Sequence, residues 1–331
     1  MSDLQDMAAS VFADAWDPSA AGFDADLWTT LEETGLARLT LPEDAGGSGA
    51  SWADAAVVLR AAGQYAARVP LVETDLLAAW LLHAAGLPVP TGPLSAVLAP
   101  TLEVDDGRAR GTLHRVPWGR SVGGVVALAG ERVALLEPGT VTEGANVAEE
   151  PRDTVVVDGP VTVGRAPSEV AVEFPLRAAL GRSLLIAGAA RGALAMAVRY
   201  ATERVQFGRP IAKLQAIQQT LALAGAEVAA AEAATQAAAL EADRQGILAA
   251  GLAVAAAKSR AGEAAGEVAR IAHQVHGAIG FTREHPLRLC TTRLWAWRDE
   301  DGAETVWNDR LGARALEGGA EALWPLLTGT P

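Results

Sequence analysis

Two stretches, Gln215 to Arg244 and Ile247 to His276, are long, free of proline and rich in alanine, and only a short Arg244-Gln245-Gly246 connection joins them. Alanine is the strongest helix former, and its small side chain lets helix axes approach closely. The spacing therefore predicts a pair of long antiparallel helices packed against one another. Ahead of them, Leu180, Leu184, Ala187, Leu194 and Val198 recur at helical intervals. From about residue 172 onward the chain reads as a helical bundle.

The texture differs upstream. Leu27 to Glu33 reads as a helix that Thr34-Gly35 terminates, and Gly46-Gly47-Ser48-Gly49 as a loop before a helix capped by Ser51. Between residues 93 and 171 the period shortens. Arg108 to His114 alternates after the turn signal Asp105-Asp106-Gly107. Gly130-Glu131 separates the apolar runs Val125–Ala129 and Arg132–Leu136, and Asp158-Gly159-Pro160 lies between Val155-Val156-Val157 and Val161-Thr162-Val163. The expectation is a mainly α protein with a small inserted β domain: helices over 1–92, short strands over 93–171, and a bundle over 172–331.

Composition narrows the function. Half of the 331 residues are hydrophobic, 20% are charged and the formal net charge is −13, a globular and acidic chain. That charge disfavours nucleic acid, whose binding requires Lys and Arg at the phosphates. A single cysteine, Cys290, leaves no internal disulfide framework and no cysteine metal site. Met1 to Asp6 is acidic with no basic region leading into an apolar run, and Leu76 to Gly86 is too short to span a bilayer. The expected compartment is the cytoplasm. His273 and His276 are three apart, with no carboxylate to complete a helical zinc motif. Nucleophilic hydrolysis is not expected.

Two segments remain. Tyr200-Ala201-Thr202-Glu203-Arg204-Val205-Gln206-Phe207-Gly208-Arg209-Pro210 reads as a helix end and a turn, followed by a helix carrying Gln215 and Gln218. Gln274-Val275-His276-Gly277-Ala278-Ile279-Gly280-Phe281 puts a glutamine on a helix end before two glycines. Small residues there allow backbone N–H groups to approach an anion. A solvated helix–turn–helix connection accounts equally well for the first segment taken alone.

With Gly35 to Glu43 and Gly46 to Gly49 at the N-terminus, these segments resemble the acyl-CoA dehydrogenase family over most of the chain. The resemblance implies a helical region, a reduced β-barrel-like middle domain and a C-terminal four-helix bundle. It implies FAD as cofactor, an acyl-CoA thioester as substrate and an electron-transfer flavoprotein as acceptor. Arg204, Gln206, Phe207, Gln215, Gln274, Gly277 and Ala278 match the segments that contact an FAD bound across a subunit interface. The family's base, usually the glutamate of a Glu-Gly pair, falls on Asp301-Gly302, and its alternative position near Ala178 or Ala179 holds no carboxylate. The base must reach a proton α to the thioester, and aspartate is shorter by roughly 1.5 Å. The family's flavin-packing loops are also reduced. Pro100-Thr101-Leu102-Glu103 lacks a Gly-Ser element, and Val116-Pro117-Trp118-Gly119 replaces a Trp-Ile-Thr stretch. Trp118 is a candidate to stack near the isoalloxazine, and core packing explains it just as well. These departures resemble the short partner chains of bacterial steroid side-chain acyl-CoA dehydrogenases, which work in α2β2 complexes beside a fuller subunit. A self-sufficient homo-oligomer using Asp301, and a structural partner without cofactor contact, are the alternatives.

Overall fold

The computed structural model describes residues 2–105 and 107–317, together with 319, 321, 324 and 325. Helices α1 (Ser2–Asp14), α2 (Ala25–Glu33), α3 (Trp52–Gln64) and α4 (Trp80–Ala84) form the N-terminal layer. Asp24 caps α2 by accepting from Leu27 N, and Gly35 leaves the helix at φ 75°. Ser51 caps α3 as expected, in a reciprocal capping box with Asp54.

Val72 to Ala79, running into α4, is π-helical, a conformation that the sequence pattern does not announce. Its Asp75 is buried and accepts from Thr40 N at 3.0 Å and Thr40 Oγ1 at 3.1 Å. Burial outweighs those bonds and pushes its carboxyl up to about 7. The folded state therefore holds a proton that the unfolded chain releases near pH 4. This group's contribution is complete below that point and declines as pH rises toward 7. Asp75→Asn should flatten the slope, so denaturant midpoints of variant and wild type should diverge progressively between pH 4 and 7. Parallel midpoints across that range would refute the assignment.

The middle region holds two four-stranded sheets. One has the order β1 (Leu94–Leu98), β4 (Gly124–Ala129), β5 (Arg132–Leu136), β8 (Thr162–Arg165), with β1 and β4 parallel. The other has the order β2 (Glu103–Asp105), β3 (Arg108–Pro117), β7 (Arg152–Pro160), β6 (Thr140–Thr142). The predicted hairpins form at Gly107 and Gly130, both with positive φ. The strands flanking Asp158-Gly159-Pro160 do not pair with each other: β7 joins β3, and β8 crosses to β5. Strand β4 explains why the two sheets stay together. Its Val125 and Ala127 face the core between the sheets, while Val126 and Leu128 face the helices.

Helices α5 (Val170–Glu203), α6 (Gln215–Gln245), α7 (Gly251–His276) and α8 (Leu287–Asp299) build the bundle, and α9 (Glu304–Glu317) packs on α7. Helix α7 starts four residues later than Ile247, because Gly246 turns the chain at φ 84°. Helix α5 runs through the centre, against α3, α6, α7 and α8. It is long and apolar enough to cross a bilayer, yet 67% of its most apolar window is buried in the fold. Two glycines set the α3–α5 approach. A Cβ on Gly188 would lie 2.0 Å from Arg60 O, and one on Gly63 would lie 2.1 Å from Leu185 O. No larger residue fits without moving a helix axis.

Candidate functional site: a charged seam and an exposed cationic hairpin

Asp301 stands in the short connection from α8 to α9, and that connection is fixed from below. The buried Lys258 of α7 donates from Nζ to Arg298 O at 2.9 Å and Gly302 O at 2.7 Å. Trp307 Nε1 donates to Asp301 O at 3.0 Å. Burial pushes the Lys258 amine down to about 8. Asp301 adopts φ 56° and Gly302 φ 94°, the tight left-handed turn this clamp requires.

The carboxylates of this turn are spoken for. Asp301 Oδ2 lies 2.9 Å from Arg182 Nε, and Arg182 Nη2 lies 2.7 Å from Glu73 Oε1. Glu300 takes a bidentate fork from Arg152, at 2.8 and 2.6 Å, with Asn146 Nδ2 donating at 3.0 Å. Glu150 accepts from Trp297 Nε1 at 2.9 Å and lies 3.2 Å from Arg152 and 3.1 Å from Arg293. Four carboxylates thus face three guanidiniums across a seam joining the π-helical stretch, the β region, α5, α8 and the α8–α9 turn. Burial alone would raise Glu300, but Arg182 and Arg152 outweigh it and hold its carboxyl down at about 2. A carboxylate so stabilised is a weak base at neutral pH. Asp301 stays paired with Arg182.

An open cavity of about 530 Å³ lies beside this seam, lined by Arg115, Pro117, Asn146, Trp295, Glu300 and Asp301 among others. Its inner polar groups satisfy one another. Arg152, for instance, places four of its five N–H donors on Glu300, Glu150 and Pro151 O. Trp118 is 4% exposed and packs edge-on to Phe23, with ring centroids 6.3 Å apart. Core packing is what its ring does here, with no free face toward the cavity.

The other candidates lie on a different surface. Arg204, Gln206 and Phe207 occupy the hairpin of β9 (Val205–Gln206) and β10 (Arg209–Pro210), and all three are exposed. Phe207 is 88% exposed at φ 54°, followed by Gly208 at φ 75°. Gln215 opens α6, and Gln274 ends α7 before Gly277, at φ 66°, and Ala278; all four are exposed. Arg199, Arg204, Arg209 and Lys213 have no ion-pair partner among the described residues. In a chain of net charge −13 such a group of free cations, beside a glycine turn with open space at its Cα, fits an anionic ligand such as a diphosphate. The Tyr200 and His276 rings stack at 4.6 Å and bring the ends of α5 and α7 together. The histidines of this region pack against aromatic rings. His273 is sandwiched between Phe281 and Trp295 and donates from Nε2 to Thr291 Oγ1 at 3.0 Å. Burial lowers His273, His276 and His285 below the ordinary imidazole range.

A helical layer, two paired sheets and a helical bundle thus follow one another along the chain. The chain belongs to the acyl-CoA dehydrogenase family, oxidoreductases acting on CH–CH groups: residues 4–88 match the model for the family's N-terminal domain and 176–317 that for its C-terminal domain. It is similar to acyl-CoA dehydrogenase IpdE2 of Mycolicibacterium smegmatis, 32% identical over 277 residues covering 82% of each chain. It is also similar to a chain of the ChsE4-ChsE5 complex from Mycobacterium tuberculosis, with 25% identity, a TM-score of 0.84 and 96% of both chains covered. A chain of the Tcur3481-Tcur3483 steroid acyl-CoA dehydrogenase gives the same identity and TM-score, with 96% and 98% covered.

Arg182, Arg152, Glu73, Glu150 and Lys258 were not among the sequence candidates. A signal was present for two of them: Glu73 and Asp75 interrupt the apolar run from Val69 to Leu82, and Arg182 interrupts Ala178 to Ala190. A charge inside an apolar helical run must find a buried partner.

Proposed function

We propose that this chain is the partner-type subunit of an FAD-dependent acyl-CoA dehydrogenase that forms an α,β double bond in a CoA thioester within an α2β2 complex. The observation that carries this reading is the contrast between the two surfaces. The hairpin cations are exposed and unpaired, whereas the carboxylates at the base position are locked to arginine. Arg204, Gln206, Gln215 and Gln274, with the main chain at Gly277 and Ala278, would hold the diphosphate and adenosine side of an FAD whose ring lies in the neighbouring subunit. FAD supplies hydride acceptance at the β-carbon, and the neighbouring subunit supplies the base. The likeness to a chain of a steroid acyl-CoA dehydrogenase and to a chain of a two-chain complex supports a steroid-derived acyl group and a heteromeric assembly. An electron-transfer flavoprotein as acceptor and a cytoplasmic setting complete the reading.

The chain purified alone should be colourless, and co-expression with its partner subunit should give a yellow complex. Asp301→Ala should leave turnover of that complex unchanged. Abolished turnover in an active preparation of the chain alone would instead establish Asp301 as a working base in a homo-oligomer.

A further inference from the structure

The two exposed segments assigned to the flavin leave different helices, α5 and α7, and nothing in either segment's sequence fixes their separation. Three aromatic rings lie between them. Tyr200 stacks on His276 with centroids 4.6 Å apart and planes 28° apart. His285 meets His276 edge-on at 4.6 Å and Tyr200 at 6.3 Å. Each ring is tied to the backbone that matters. Arg204 N donates to Tyr200 O at 2.8 Å, so the departure of the hairpin is set by the residue that stacks. His276 directly precedes Gly277 and donates from Nδ1 to Ala272 O at 2.7 Å, which fixes its ring on the last turn of α7. The turn after Gly277 folds back onto it, where a Cβ at Gly280 would lie 2.9 Å from His276 Cβ. His285 Nδ1 accepts from Leu287 N at 3.1 Å and is anchored at the start of α8.

His276 is 4% exposed, and its Nε2 has no hydrogen-bond partner. Of its polar edge only Nδ1 is used, and the ring's remaining contacts are made by stacking and edge-on packing. Stacked and edge-on ring pairs hold a defined geometry that aliphatic packing does not.

We propose that the Tyr200–His276–His285 ring cluster is the positioning element that sets the spacing between the Arg204 hairpin and the Gln274–Phe281 turn, and so the fit of both to one FAD. His276 and Tyr200 touch no cofactor in this role; they act through Arg204 and Gly277. The inference rests on the flavin-holding reading above.

The test uses the assembled complex, titrated with FAD, together with amide exchange over 204–210 and 274–281. His276→Ala should weaken FAD binding by about tenfold and raise exchange in both segments together. His276→Phe keeps both ring contacts and should restore wild-type values, which loss of a catalytic imidazole would not allow. Wild-type FAD affinity in His276→Ala, with Arg204→Ala impaired, overturns the positioning role while leaving the flavin-holding reading intact. Wild-type affinity in both variants overturns that reading itself. Should His276→Ala not assemble, His285→Ala removes the two edge contacts to His276 and Tyr200 from a half-buried position and decides in the same way. Weaker FAD binding with raised exchange upholds the proposal, and unchanged binding overturns it.

Discussion

Arg182→Ala should lower the melting temperature by roughly 10 °C, the largest effect of any single substitution in the charged seam. The guanidinium is buried and lies 2.7 Å from Glu73, 2.9 Å from Asp301 and 3.7 Å from Glu300. Its removal leaves three carboxylates facing one another with Arg152 as the only cation touching Glu300. Breaking a buried ion pair from one side costs about 3–5 kcal/mol, because the remaining charge is stranded without solvent. At a few degrees per kcal/mol for a chain of this size, the shift is readily measured.

The pH dependence separates this cause from a simple cavity. In the wild type, the Glu300 carboxyl is held at about 2, below its ordinary 4.5, so its contribution is present above the unfolded value and is lost only as pH falls through 2. Without Arg182, the folded-state value of Glu300 rises, and its carboxylate takes up a proton on milder acidification. The deficit of the variant should thus be largest at pH 7 and shrink toward pH 5. Replacing the pair rather than one member should cost less, so Arg182→Met with Glu73→Gln should melt above Arg182→Ala. A deficit equal at both pH values would mean that lost packing, not lost charge, is responsible.

The same seam marks the boundary of what residues alone disclose. The bundle was legible because alanine content and periodicity are local, and the hairpins because Gly107 and Gly130 announce their turns. The exposed segments were noticeable because their Arg, Gln and Gly residues lie in two compact strings. The seam is assembled from Glu73, Glu150, Arg152, Arg182 and Glu300, which belong to four separate stretches of chain. No window contains two of its cross-links. Asp301 could be found by counting along α8, but its partner on α5 could not, and that partner decides what the carboxylate does. The crossing of β8 to the first sheet escaped for a related reason. Asp158-Gly159-Pro160 is a turn signal in its own right, and only the tertiary pairing of β5 redirects the strand after it.

Arg204→Ala should leave the fold untouched and weaken FAD binding in the assembled complex by about 10- to 100-fold. The side chain is exposed and has no ion-pair partner among the described residues, so its loss should move stability by no more than about 0.5 kcal/mol. A hydrogen bond to a charged group is worth about 1.5–3 kcal/mol, and every 1.4 kcal/mol is tenfold in affinity. Lysine carries the same charge but lacks the planar fork that matches phosphate oxygens, so Arg204→Lys should recover only part of the loss. Visible flavin absorbance of the purified complex, FAD titration and a melting curve measure these outcomes together. Full flavin occupancy in Arg204→Ala would leave this subunit a structural partner without cofactor contact. Loss of flavin with an unchanged melting curve would instead separate this chain's two surfaces by function, the exposed hairpin serving the cofactor and the arginine-locked turn serving only the fold.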